Sequence, residues 1–75
     1  MNEKAISKTI EEKKIENWTV RICQDISGTY ALAIADGYHA EHIEKKNGIL
    51  YYEKTTHIPE HIQFQIAKMF TNNNL

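Results

Sequence analysis

The sequence predicts an α+β domain, an antiparallel meander sheet of about four strands with a C-terminal helix packed on one face. Two observations predict the sheet: apolar and polar residues alternate with period two, and three glycine-containing turns separate the alternating runs. One helical stripe after Pro59 predicts the helix. A chain of 75 residues forms a single domain, 1–75. We divide it into a peripheral helix (1–16), the sheet (18–53), a packing helix (58–71) and a frayed tail (72–75).

The N-terminal segment 3–16 has the composition of a helix, because Lys and Glu alternate with Ala and Ile and neither Gly nor Pro occurs. Ile6 and Ile10 share a helical face, but the next position on that face is Lys13. Such a thin apolar stripe buries little. We therefore expect a loosely attached helix, either solvated or used by a partner.

Two strands flank the first turn. Their large apolar residues are Trp18, Val20 and Ile22 in 18–25, and Tyr30, Leu32 and Ile34 in 29–35. Asp25 suits the start of a type I turn, and Gly28 suits the left-handed position of a three-residue loop. That loop places all the large apolar residues on one core face, whereas a two-residue loop would separate them. The pattern therefore favours the three-residue loop.

The next two turns predict tight hairpins. Asp36-Gly37 returns the chain through 38–44, and Asn47-Gly48 leads into 49–53. The resulting core face holds Ile43, Leu50 and Tyr52. It also holds His39 and Glu41, so we expect the third strand to be irregular.

The C-terminal helix, 59–71, has Pro59 at its first position and Glu60 in its first turn. Its stripe consists of Ile62, Ile66, Met69 and Phe70, with Ile58 leading into it. Phe64 lies opposite this stripe and is predicted to be exposed.

Composition argues against several classes of protein. The net charge is −1 and the pI about 6.4, and the nine basic residues are dispersed, so we expect no duplex nucleic acid partner. One cysteine allows no intramolecular disulfide, which fits the cytoplasm. No apolar run is long enough for a membrane helix, so we expect no membrane partner. The abundance of Ile, Lys, Asn, Glu and Tyr, residues with A/T-rich codons, fits a phage or mobile-element gene.

We expect neither an enzyme nor a cofactor. The four histidines, His39, His42, His57 and His61, give a weak metal signal. Pro59 lies between the last two, and the odd spacing of the first two puts them on opposite faces of a regular strand. Cys23 with His42 as base is a conceivable nucleophile, but a lone strand cysteine is usually a small packing residue.

The second sheet face is the predicted binding site. Ala31, Ala33 and Ala35 form a flat floor in the predicted register. Arg21, Tyr38, His42 and Tyr51 surround this floor, and Phe64 is added as an exposed aromatic. The alternative is that the N-terminal helix or another subunit covers the alanines.

Three functions remain open. The first is a non-enzymatic cytoplasmic protein that regulates or inhibits a larger host or cellular protein by occupying its surface. The second is a homo-oligomer that binds a small anionic ligand such as a nucleotide, with Arg21 on phosphate and Tyr38 or Tyr51 on the base. The third is a metal or nucleophile site at His42 and Cys23. For the uncovered surfaces we predict a homodimer, with Phe64 or the strand Ala31–Ala35 at the contact.

Overall fold

Five antiparallel strands and one helix make up the fold, in a computed structural model that describes residues 7–37 and 39–75. The elements are β1 (Lys8–Ile15), β2 (Trp18–Asp25), β3 (Gly28–Ala35), β4 (Glu41–Lys46), β5 (Ile49–Tyr51) and α1 (Glu60–Asn72). The strands neighbour one another in chain order, which is the predicted meander. The α+β class and the C-terminal helix are confirmed. No helix in the described ranges is long and apolar enough to cross a membrane.

The prediction of an N-terminal helix is wrong over residues 8–15, which form strand β1. Residues 1–6 of the predicted helix lie outside the described residues. β1 pairs with β2 from Ile15 opposite Trp18 to Lys8 opposite Gln24, with a bulge between Thr9 and Glu11. The segment forms a strand rather than a helix because a helix here would have almost no apolar face to bury, whereas a strand completes a ladder of backbone hydrogen bonds. Ile10 and Ile15 pack against the core as part of this strand.

The predicted three-residue loop between β2 and β3 is wrong, because Asp25 pairs directly with Gly28 and leaves a two-residue loop. Asp25 stabilises that loop: its Oδ1 accepts hydrogen bonds from Ser27 Oγ (2.7 Å), Ser27 N (2.9 Å) and Gly28 N (3.2 Å). The bond from the Ser27 hydroxyl is the largest of the effects that lower the pKa of Asp25. Gly28 has a φ of +142°, where an L side chain would be strained.

The connection between β3 and β4 also differs from the predicted tight hairpin. β3 and β4 pair only from Ala33 opposite Glu41 onward, so the chain between them is longer than two residues. The two loop differences shift the register by one residue each, in opposite senses. As a result β3 alone presents the opposite face to that predicted, while β2 and β4 keep theirs. The Asn47-Gly48 hairpin is confirmed, with φ of 54° and 80°.

The core lies between one sheet face and α1. The helix contributes Ile62, Ile66, Met69 and Phe70, and Ile58 precedes it. The sheet contributes Trp18, Val20, Ile22, Ala31, Ala33, Ala35 and Ile43. The three alanines are therefore core residues, because small side chains in the central strand leave room for the bulky helix stripe. Leu32 and Tyr30 are half-buried and Ile34 is exposed, so the prediction that all three are core residues is wrong.

The C-terminal tail is capped rather than frayed. Leu75 N donates to Phe70 O and Asn74 N to Thr71 O, each at 3.0 Å, and Asn74 has a left-handed φ of 59°. This pattern is a Schellman motif with Asn74 as its left-handed residue. The side chain of Asn73 donates to Glu11 Oε1 at 2.7 Å, and Lys45 Nζ donates to Leu75 O. These contacts tie the end of the helix to the sheet.

Polar side chains join the chain before α1 to the sheet. Glu41 is buried, and its carboxylate accepts hydrogen bonds from Thr56 Oγ1 and from His57 N, the latter at 2.9 Å. An irregular strand was predicted because Glu41 faces the core. In the structure, Glu41 stays in a regular strand and its buried carboxylate is satisfied by hydrogen bonds. Tyr52 donates to Gln63 O at 3.4 Å, and partial burial raises the pKa of its phenol to about 12.

Candidate binding face

The face of the sheet opposite α1 is uncovered by any element of the described ranges, and we call it the open face. Alternation along the paired strands assigns side chains to it. They are Thr9, Glu12 and Lys14 in β1; Thr19, Arg21 and Cys23 in β2; Tyr30, Leu32 and Ile34 in β3; His42, Glu44 and Lys46 in β4; and Ile49 and Tyr51 in β5.

The open face concentrates the exposed apolar surface of the described chain. Five large hydrophobic residues are exposed: Ile26 (89%), Phe64 (63%), Ile49 (55%), Tyr51 (49%) and Ile34 (42%). Three of these five lie on the open face, and Ile26 lies in the β2–β3 loop at one end of it. Single exposed apolar residues are common, but three of them on one uncovered face, together with half-buried Tyr30 and Leu32, indicate an interaction surface.

Charges on the open face are mixed and largely paired. Arg21 Nε lies 3.2 Å from Glu12 Oε1, and Lys46 Nζ lies 3.4 Å from Glu44 Oε1. The backbone N–H of His42 donates to Glu53 Oε2 at 3.0 Å. Since acids and bases alternate on it, the face has no strong field of one sign, and its character is set by the apolar side chains.

One end of the open face holds a shallow cavity of about 520 Å³. The rings of Tyr30 and His42 stack in its wall, with centroids 4.9 Å apart and planes 26° from parallel. Ser7 Oγ lies within hydrogen-bond distance of the Tyr30 hydroxyl. The carboxylates of Asp25 and Glu44 also line this cavity, and Arg21 does not. Lys45 and Lys46 line it as well, so a phosphate would meet charges of both signs here rather than the predicted guanidinium.

The predicted site residues separate into two groups. Arg21, His42 and Tyr51 share the open face, which is the face predicted for them. Their predicted alanine floor is wrong: Leu32 and its neighbours in β3 take that place, because β3 is turned over. Tyr38 lies outside the described residues.

Phe64 belongs to a different surface. It lies on the solvent side of α1, with Lys68 Nζ 5.6 Å from the centre of its ring, whereas the open face is on the far side of the sheet. The two surfaces cannot contribute to one small site. The sequence analysis missed Tyr30, Leu32 and Ile34 as surface residues because it assigned every large apolar side chain of the first two strands of the predicted sheet to the core. The alanines opposite a bulky helix stripe were the signal that could have found them.

Cys23 is buried, and the histidines take part in no metal-holding group of the described ranges. Cys23 is buried, with Sγ 4.0 Å from the carbonyl oxygen of Arg21, so a substrate cannot reach it. His61 Nε2 lies 3.0 Å from Glu16 Oε2 and joins α1 to the β1–β2 turn. No group of three or more His, Cys, Asp or Glu in residues 7–37 and 39–75 is arranged to hold a metal ion.

Comparisons with protein-family models, with curated proteins and with solved structures found no match to this chain. The geometry of the open face is therefore the basis for a functional proposal.

Proposed function

We propose that this protein is a non-enzymatic cytoplasmic binding protein that docks its open face on a larger protein and thereby regulates or inhibits it. The observation that carries the proposal is the presence of exposed Ile34, Ile49 and Tyr51 on the one sheet face that α1 leaves uncovered. A single-layer sheet with an apolar outer face gains free energy when a second apolar surface covers it.

The chemistry of the open face favours a protein surface as its occupant. Tyr51 and Arg21 are of the residue types enriched at the centres of protein interfaces, and the paired charges around them suit a polar rim. The net charge of −1 gives no attraction to a nucleic acid backbone. The expected partner surface is apolar and of mixed charge. The proposed cytoplasmic location is supported by the single cysteine, which suits a reducing compartment.

The cavity beside Tyr30 and His42 supports a second candidate, capture of a small ligand against the stacked rings. The lining carries charges of both signs, Asp25 and Glu44 beside Lys45 and Lys46, so the stacked rings rather than charge favour an aromatic ligand, and a nucleotide stays among the candidates. Thermal unfolding with and without nucleotides tests this candidate, because a ligand that binds the native state raises the Tm.

The first candidate is tested by comparing two variants as immobilised baits in a lysate of the source cell. The double variant Ile34→Glu/Tyr51→Glu places charges on the open face, and Phe64→Glu places a charge on the helix surface at a more exposed position. Both variants should keep the wild-type circular dichroism spectrum, since the substituted side chains are exposed. We expect one protein to be retained by the wild type and by Phe64→Glu and lost from the double variant.

Retention by both variants would place the binding surface elsewhere and would contradict the proposal. Loss with Phe64→Glu alone would move the binding surface to α1. A regulatory role further requires that the captured protein, once purified, change its activity when the wild-type chain is added and not when the double variant is added.

A further inference from the structure

The outer edge of β1 is a second interaction surface, distinct from the open face. β1 is the first strand of the sheet and pairs only with β2 among the described elements, so one side of its eight residues has no strand beside it. The side chains of β1 are exposed or half-buried along its whole length. Such an edge is a template for another strand unless its side chains reject that strand.

The charges of β1 select which strand it accepts. Its centre reads Glu11-Glu12-Lys13-Lys14, two acids followed by two bases. Antiparallel to a second copy, this block brings acids of one copy near bases of the other, apart from the one residue that lies opposite its own copy. An apolar strand or a strand of one charge sign would leave these side chains unmatched, so the edge discriminates in favour of its own sequence.

We propose that a second copy of this chain pairs with the first through β1, antiparallel, about a twofold axis perpendicular to the sheet. The proposal goes beyond the function proposed above and does not depend on it. A perpendicular twofold axis keeps corresponding side chains on the same sheet face, and it therefore passes through one residue that lies opposite its own copy. The candidates inside the charge block are Glu12 and Lys13.

The structure favours Glu12 as the residue on the axis. In this register Glu11 lies opposite Lys13 of the second copy on the helix side of the sheet, and Glu12 lies diagonally across from Lys14 of the second copy on the open face. The two Glu12 carboxylates that meet at the axis repel each other. Arg21 reduces this repulsion, because its Nε is 3.2 Å from the Glu12 carboxylate in each copy. Asn73 occupies one oxygen of Glu11, and a carboxylate accepts at both oxygens.

Backbone geometry points to the same register. A two-residue hairpin closes with Ile15 opposite Trp18, and hydrogen-bonded pairs then alternate along the ladder, so the N–H and C=O groups of Glu12 and Lys14 point away from β2. The closest cross-strand pairs between the copies are the non-hydrogen-bonded ones, here Glu11 with Lys13, which attract each other. With Lys13 on the axis, the closest pair would be two lysines.

The dimer would have one continuous sheet with both α1 helices on one side and both open faces on the other. This arrangement removes the longest free edge of the fold and places two copies of the open face side by side. A partner with two equivalent surfaces would then be bound with higher avidity than one copy provides.

Exchanging the charges of β1 tests the pairing, and sedimentation equilibrium measures the result. Concentrations up to about 0.5 mM are used so that a dimer with a Kd of about 0.1 mM is detected. The variants Lys13→Glu/Lys14→Glu and Glu11→Lys/Glu12→Lys each make the edge like-charged, and each alone should show the 8.7 kDa protomer mass. Their equimolar mixture should show twice that mass. The fourfold exchange of all these residues restores a self-complementary block and should dimerise like the wild type. Circular dichroism checks that each variant is folded.

A cross-link tests the register, in a Cys23→Ala background. With Glu12 on the axis its Cα atoms are about 5.5 Å apart, within the span of a disulfide, so Glu12→Cys should cross-link on mild oxidation. Lys13→Cys is the matched control, since its Cα atoms lie about 7–8 Å apart and should remain unlinked. Preferential cross-linking of Lys13→Cys would overturn the register. A monomeric wild type, or a mixture of the two like-charged variants that remains monomeric, would overturn the proposed dimer.

Discussion

Glu41 shows at the scale of a single residue how this small fold tolerates a charge in its interior. It is the buried charged residue of the described chain, and it faces the same side of the sheet as the apolar side chains of the core. Hydrogen bonds from Thr56 Oγ1 and His57 N compensate for its lost hydration. Glu41 therefore fixes the segment between β5 and α1 onto β4.

We predict that Glu41→Ala lowers the free energy of unfolding by about 1–3 kcal/mol, because the N–H of His57 and the hydroxyl of Thr56 lose their acceptor. Glu44→Ala is the matched control on the same strand. Glu44 faces solvent, and its loss should change the stability by less than about 0.5 kcal/mol. Urea unfolding measures both values, and equal effects would show that the contacts of Glu41 contribute nothing.

Strand β3 shows at the scale of an element how one register decides the identity of a surface. Its two faces differ sharply in size: alanines on one side, and Tyr30, Leu32 and Ile34 on the other. The structure places the alanines under α1 and the large side chains toward solvent. Large side chains on the core face of β3 would collide with the helix stripe above the central strand. The cost of this overpacking exceeds the gain from burying them.

We predict that Ala33→Leu is more destabilising than Leu32→Ala. The first inserts a large side chain between the sheet and α1 and should cost about 1–3 kcal/mol through overpacking. The second removes a half-buried side chain from the open face and should cost about 1 kcal/mol, well below the range of about 2–5 kcal/mol for a core leucine. Chemical unfolding of the two variants measures the difference, and the reverse order would return β3 to the register expected from the sequence.

One helix over one sheet gives the whole molecule an uneven distribution of stability. The central strands β2 and β3 have a neighbouring strand on each side, whereas β1 and β5 are edges. Local opening costs least where backbone hydrogen bonds meet solvent and few apolar contacts surround them. The edges and the open face are therefore the surfaces on which association can act.

We predict that amide hydrogen exchange is slowest in β2 and β3 and fast at the outward N–H groups of Glu12 and Lys14. Raising the protein concentration should slow exchange at Glu12 and Lys14, since pairing with a second copy protects these groups. The edge strand Ile49–Tyr51 is the internal control and should exchange independently of concentration. Exchange in β1 that also ignores concentration would contradict pairing through that strand.

Local signals predicted much of the fold. The alternation in 18–25, the Asn47-Gly48 turn and the stripe from Ile62 to Phe70 each depend on side chains within a few residues of one another, and each element formed as predicted. The site was predicted only in part: Arg21, His42 and Tyr51 share a face because β2, β4 and β5 kept their predicted orientation. The composition of that face was wrong because β3 was not in its predicted register.

By itself, the sequence determined the α+β class, the meander order and the apolar stripe of α1, since period and turn chemistry are local properties. Tertiary structure alone decided that 8–15 is a strand and that the alanines of β3 are buried. In the first segment, the backbone hydrogen bonds of a strand outweigh helical propensity. In β3, the space that α1 occupies above the sheet outweighs the gain from burying the large side chains. Both outcomes depend on elements distant in sequence, which local patterns do not contain.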